Sequence, residues 1–215
     1  EISGDFYDFY PHDDQIYFNL SDVSGKGVNA GMVMAKAITL FKIFARQKYK
    51  PNEILLEMNN DLHETNPPGT FITSIVGSYD LKSDTIELSN AGHLPVLLKK
   101  GNEFIEFPSS STPLAVVKQK DLNAYKLESF KLNAGRIYCF TDGFSECMDE
   151  NNKEIGINGV KNLIKKHSNS SLKIELENAT DEIRQKSLKK EYKEKGIIDS
   201  NDILDDDLTI IGIGK

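Results

Sequence analysis

The chain has 215 residues, 39% apolar and 27% charged, which suits one folded domain or two small ones and excludes disorder along its whole length. Its 33 acidic and 26 basic residues leave a net charge of −7, so it lacks the broad basic field of a nucleic-acid binder and does not suit an anionic membrane surface. No apolar run reaches the roughly 18 residues of a bilayer span, and no signal-peptide pattern opens the chain.

Residues 1–10 (EISGDFYDFY) read as ordered, aromatic-rich chain and carry no initiator Met. That predicts a domain excised from a longer protein. Gln15–Asp22 alternates apolar and polar residues and reads as a strand. Ser24–Gly27 is a glycine-containing turn. A helix follows, with Val28, Met32, Ala35, Ile38, Phe41 and Ala45 recurring at three and four. Pro51 opens a second helix, with Ile54, Leu55, Met58 and Leu62 on one face, and Asn66-Pro67-Pro68-Gly69 breaks it.

Strands are predicted at Phe71–Asp80, Thr85–Asn90, Val96–Lys99 and Phe104–Phe107, then a loop at Pro108–Pro113. Tyr125–Leu132 and Arg136–Thr141 read as two more strands around Asn133-Ala134-Gly135. The chain then turns helical, with Val160, Leu163 and Ile164, and again Leu172, Leu176, Ala179 and Ile183. The charged stretch Lys186–Lys195 reads as a solvated helix face or surface insertion. Leu208–Ile213 is a last strand. This order is neither a βαβ series nor all-β, and it predicts a layered α+β domain with antiparallel sheets covered by helices.

Cys139 and Cys147 match no CxxC pair and no zinc spacing, and read as reduced thiols of a cytoplasmic protein. Only three arginines occur, Arg46, Arg136 and Arg184, although arginine is the usual fork for phosphate.

The chemistry lies in the carboxylates. Four segments put Asp at or beside a strand end: Gly4-Asp5, Ser21-Asp22, Thr141-Asp142 and Asp205-Asp206-Asp207. Asp is disfavoured inside strands. Any one of these pairs alone reads as a turn former or helix cap. Together they predict strand ends that meet, and gathered carboxylates repel unless a cation neutralises them. An all-oxygen set selects Mg²⁺, Mn²⁺ or Ca²⁺ over zinc. Asp149–Gly156 fails as a calcium loop, because Lys153 stands where an oxygen ligand belongs. Ser24-Gly25-Lys26-Gly27 is no Walker loop, but it opens a helix whose amides can face an anion.

The segments SGDFYDF, SDVSGKGVNAGMVMA, SNAGHLPVLL, TDGFSE and DDDLTIIGIG, in this order from Ser3 to Gly214, resemble the SpoIIE/RsbU-type branch of the metal-dependent (type 2C) Ser/Thr protein phosphatases. The resemblance implies a four-layer α-β-β-α sandwich with two antiparallel sheets, formed by residues 1–215 as one phosphatase domain. It also implies a centre of two Mn²⁺ or Mg²⁺ ions. Carried over, Asp5 and Asp22 match the first two metal carboxylates, Asp22 bridging and the Val23 carbonyl adding a ligand. Asp142 and Asp206 match the later ligands, and Asp207 supports them.

The implied activity is hydrolysis of phosphoserine or phosphothreonine on a regulatory protein, a STAS-type anti-sigma-factor antagonist. An upstream sensor or linker domain and a homodimer are consistent with the resemblance; nucleic acid and membrane are not expected partners. Two departures stand out. No arginine near Asp5 matches the phosphate-binding Arg of the animal enzymes, which leaves Lys26 as the substitute. The stretch Lys189–Leu204 is also longer than this branch leads one to expect. His93, in Asn90-Ala91-Gly92-His93, reads as a turn histidine holding its loop rather than as a general acid. The competing readings are a metal-dependent nuclease or phosphodiesterase, disfavoured by the acidic charge, and a degenerate phosphatase domain acting as a binding module.

Overall fold

The computed structural model describes residues 4–149, 152–195 and 208–214. The first element is a strand, β1 (Asp5–His12), paired antiparallel with β2 (Gln15–Val23) around a turn in which Asp13 has a φ of 54°. Helices α1 (Val28–Arg46) and α2 (Pro51–Thr65) follow. The chain continues through β3 (Ile72–Asp80), β4 (Thr85–Ala91), β5 (Val96–Lys100) and β6 (Glu103–Phe107). After β7 (Glu128–Lys131) and β8 (Arg136–Phe140) come α3 (Asp142–Ser145), α4 (Gly156–His167), α5 (Leu172–Lys195) and β9 (Ile210–Gly214).

The strands form two antiparallel sheets, ordered β1-β2-β3-β4-β7 and β6-β5-β8-β9. Three apolar layers hold four structural layers together. Val33, Phe41, Leu55 and Met58 of α1 and α2 pack on Tyr17, Ile72 and Val76 of the first sheet. Phe18, Leu20, Ile75, Leu98, Ile137 and Cys139 fill the space between the sheets. Tyr138 and Phe140 pack on Val160, Ile164, Ala179 and Ile183 of α4 and α5. The expected α-β-β-α sandwich is the observed fold. At this depth of burial each large apolar side chain contributes about 1.5–3 kcal/mol.

Two local expectations shift. The strand expected at Tyr125–Leu132 begins only at Glu128. Asp121 caps a 3₁₀ turn over Leu122–Ala124 by accepting from the Asn123 amide at 2.9 Å, and Tyr125 is spent as a core anchor. On α1 the buried face is Ala30, Val33, Ala37, Leu40, Phe41 and Ala45, whereas Val28 and Met32 are exposed. Three of those buried residues are alanines, so small side chains share the inner face with Val33, Leu40 and Phe41, and size alone does not mark it. By length and composition alone α1 could also cross a membrane, but here it is a core helix lying on the sheet.

Two polar devices fix the periphery. Glu175 of α5 is fully buried, pairs with the Arg136 guanidinium and accepts the Tyr138 hydroxyl at 2.7 Å, tying α5 to β8. The loop after β6 is strapped to α2. Asn59 accepts from the Ala115 amide at 2.9 Å and donates to the Val117 carbonyl at 3.0 Å, while Asn60 accepts from the Gln119 amide at 3.1 Å. Ala115, between these anchors, has a φ of 70°.

Candidate metal centre

The antiparallel register places Asp5 of β1 directly opposite Asp22 of β2, and Asp22 directly opposite Thr73 of β3. Residues opposite each other in antiparallel strands share a face and lie about 4.5–5.5 Å apart at Cβ. Asp5, Asp22 and Thr73 therefore form a row across one end of the first sheet, on the face turned toward the second. Like charges so placed repel and destabilise a sheet unless a cation neutralises them.

Beside this row, oxygens approach Gly4 closely. A Cβ built on Gly4 would lie 2.6 Å from the Val23 carbonyl and 2.7 Å from Asp22 Oδ1, with the Gly25 carbonyl at 3.5 Å. Asp22 Oδ1 and the Val23 carbonyl oxygen thus both crowd the Gly4 main chain, and only a residue without a side chain fits there. The Val23 amide donates to the Gly4 carbonyl at 3.1 Å, which holds the two segments together.

The second sheet reaches across to Asp5. Thr141 Oγ1 donates to Asp5 Oδ2 at 2.7 Å and Thr209 Oγ1 donates to the same oxygen at 3.0 Å. Thr141 and Thr209 are themselves neighbours, the Thr141 amide donating to the Thr209 carbonyl at 3.0 Å. Asp142 follows Thr141 as the first residue of α3, and its main-chain carbonyl accepts from the Glu146 amide at 2.8 Å. Asp5, Asp22 and Asp142 are each half-buried.

Lys26 is exposed in the turn that carries the chain from Val23 into α1. Gly25 and Gly27 there have φ values of 91° and 85°, and Phe71 braces the turn through the Ser24 amide and hydroxyl, both at 2.9 Å.

Asp206 and Asp207 lie outside the described residues. Among the described residues, no three His, Cys, Asp or Glu side chains come together as a metal-holding group. The donors that do converge are all oxygens, two facing carboxylates and a main-chain carbonyl, and they fit a hard divalent cation.

Several site residues were not singled out in the sequence. Thr141 stood in a quoted motif but only its neighbour Asp142 was assigned a role. Gly4 and Thr209 likewise stood in quoted motifs without a role of their own, and Thr73 was not singled out. His93, expected to hold its own loop, is buried, and its Nδ1 lies 2.7 Å from Thr73 Oγ1 on another strand. Burial outweighs the nearby Phe140 carbonyl and keeps the ring neutral, with its pKa down at about 4.

The family model for stage II sporulation protein E (SpoIIE) matches residues 12–214. Phosphoserine phosphatase RsbU of Bacillus subtilis (strain 168) is 26% identical over 186 residues, 85% of this chain and 54% of that protein. The chain thus spans about half the length of this curated relative. Among solved structures, the SiaA-PP2C domain of Pseudomonas aeruginosa matches with a TM-score of 0.81 at 17% identity, covering 100% of this chain and 81% of that one. RsbX in complex with magnesium matches with a TM-score of 0.69 at 16% identity, covering 99% of this chain and 87% of that one. At such identities these likenesses show a shared fold.

Proposed function

Because the chain belongs to the SpoIIE family, we propose that this domain is a metal-dependent protein phosphatase acting on phosphoserine or phosphothreonine. The observation that carries the reading is Asp5 facing Asp22 across the strand pair, with Asp22 Oδ1 and the Val23 carbonyl oxygen both packed close against Gly4. The similarity to a phosphoserine phosphatase supports the reaction class, and a related fold solved with magnesium supports the kind of ion.

Asp5, Asp22, the Val23 carbonyl and Asp142 would hold the ions, with Asp206 and Asp207 completing the set. Two Mn²⁺ or Mg²⁺ ions, when bound, supply positive charge for phosphoryl oxygens and an acidified water for in-line attack. The chain's own part is positional. Asp22 brings its charge to the middle of the row. Thr141 and Thr209 fix Asp5 through Oδ2, so its carboxylate keeps one orientation. Lys26 and the amides at the start of α1 stand beside the turn and would meet the substrate phosphate. No side chain is needed as a covalent nucleophile.

The substrate we favour is a phosphorylated regulatory protein, a STAS-type anti-sigma-factor antagonist, with control exerted by a sensor or linker domain of the full-length protein. The test is hydrolysis of a phosphoserine peptide, p-nitrophenyl phosphate and a phosphate diester side by side, with and without Mn²⁺. Mn²⁺-dependent release from the peptide and monoester, with the diester untouched, supports the reading. Preferential diester cleavage would point to a phosphodiesterase. No hydrolysis at saturating Mn²⁺ would leave a binding module.

A further inference from the structure

The loop that carries His93 is secured without its imidazole. Asn90 accepts from the His93 amide at 2.9 Å and donates to the Leu94 carbonyl at 2.9 Å. The Ser109 hydroxyl accepts from the Gly92 amide at 2.7 Å, and Ser109 and Ser111 both donate to the Asn90 carbonyl. Gly92 has a φ of 70°, and a Cβ there would meet Pro113 at 2.5 Å, so backbone shape and packing complete the loop.

The ring is instead turned inward. It is 7% exposed, makes its one side-chain hydrogen bond to Thr73 twenty residues back, and leaves Nε2 without a hydrogen bond of ordinary geometry. Both ring contacts, the Thr73 hydroxyl and the Phe140 carbonyl, come from outside the loop that carries His93, so the imidazole serves other elements than its own turn. Its position says what it serves. Thr73 stands directly opposite Asp22, and the Phe140 carbonyl beside the ring precedes Thr141, which holds Asp5.

We propose that His93 is a positioning residue for the metal centre, acting through the Thr73 hydroxyl to fix Asp22 and bracing the sheet that fixes Asp5. The inference rests on the proposed metal role of Asp22. Groups that orient metal ligands from behind typically change metal affinity about 10–100-fold when removed.

The test is calorimetric Mn²⁺ titration of the metal-free protein, with circular dichroism and thermal unfolding on every variant. Thr73→Val and His93→Leu should each weaken Mn²⁺ binding about 10-fold or more. Combining them should add little, because both remove one hydrogen bond. Thr73→Ser, which keeps the hydroxyl, should bind within about 2-fold of the parent. A role in stability alone would lower the unfolding midpoint and leave Mn²⁺ affinity unchanged. If His93→Leu does not fold, Thr73→Val against Thr73→Ser still decides. Unchanged affinity in Thr73→Val, or independent losses in the double variant, overturns the proposal. Asp22→Asn is the reference. If it binds Mn²⁺ like the parent, the metal reading itself falls and takes this inference with it; if it does not, failure of the Thr73 and His93 variants counts against this inference alone.

Discussion

Gly4→Ala adds one methyl group where Asp22 Oδ1 and the Val23 carbonyl oxygen crowd the main chain. The new Cβ would sit 2.6 Å from the Val23 carbonyl and 2.7 Å from Asp22 Oδ1, whereas carbon and oxygen normally approach to about 3.3 Å. Something must therefore move by about 0.7 Å, and one of the two obstacles is main chain held by the strand pairing. Overpacking of this kind costs about 1–3 kcal/mol. For a chain of this length that is a fall of roughly 2–12 °C in Tm. The larger effect is on the oxygens, since a displacement near an ångström can cost ~10²-fold in rate. We expect turnover of p-nitrophenyl phosphate at limiting Mn²⁺ to drop ~10–100-fold, with part of the loss recovered at high Mn²⁺. Differential scanning fluorimetry and a Mn²⁺ titration of activity measure the two parts separately. A folded Gly4→Ala protein with the parent's Mn²⁺ dependence and turnover would show that these two oxygens do not bind the metal.

Asp22→Asn should abolish turnover and leave the fold intact, and relief of the repulsion with Asp5 should change apo stability by ~1 kcal/mol or less; wild-type turnover at saturating Mn²⁺ would refute the assignment. Ala115 at a φ of 70° is strained by about 1–2 kcal/mol. Replacing it with glycine relieves this, offset by ~0.5–1 kcal/mol of backbone entropy and by loss of the methyl, which packs against the α1–α2 core layer, so Ala115→Gly should leave Tm nearly unchanged, and a fall of more than about 4 °C would show that packing outweighs the strain. Burial holds the His93 pKa at about 4 in the folded protein, below the 6.5 of a free ring. Between those values the unfolded chain binds a proton that the folded one does not, so stability falls as pH drops through this window, by roughly 3 kcal/mol. Urea unfolding at stepped pH should show that slope in the parent and lose it in His93→Leu; an equal slope in both would place the titration elsewhere.

Much of this molecule was legible because alternation and 3.6-residue periodicity are local. The strands from Gln15 to Phe107 stand within a residue or so of where turn residues bound them. Asp5, Asp22 and Asp142 could be picked out because Asp is costly at a strand end without a purpose. The inner face of α1 was harder, since alanines share it and Val28 and Met32 are larger but exposed. The residues that orient the carboxylates were illegible for a different reason. Thr141 and Asp5 are 136 residues apart, and His93 and Thr73 are 20 apart. A hydrogen bond closed by tertiary pairing leaves no mark on either residue's neighbours, and threonine in a strand needs no explanation of its own.

The two hydroxyls on Asp5 Oδ2 also set a clock. Thr209 lies 204 residues after the carboxylate it holds. At about 5–20 residues per second, roughly 10–40 s of synthesis separate the two. Through that interval β1 can pair with β2 and Thr141 can follow β8 into place, but Asp5 lacks its second hydroxyl, Thr209, until β9 docks beside β8. A nascent chain therefore cannot hold the Asp5 carboxylate in its final orientation early, and the last strand described fixes a side chain that the first strand supplied.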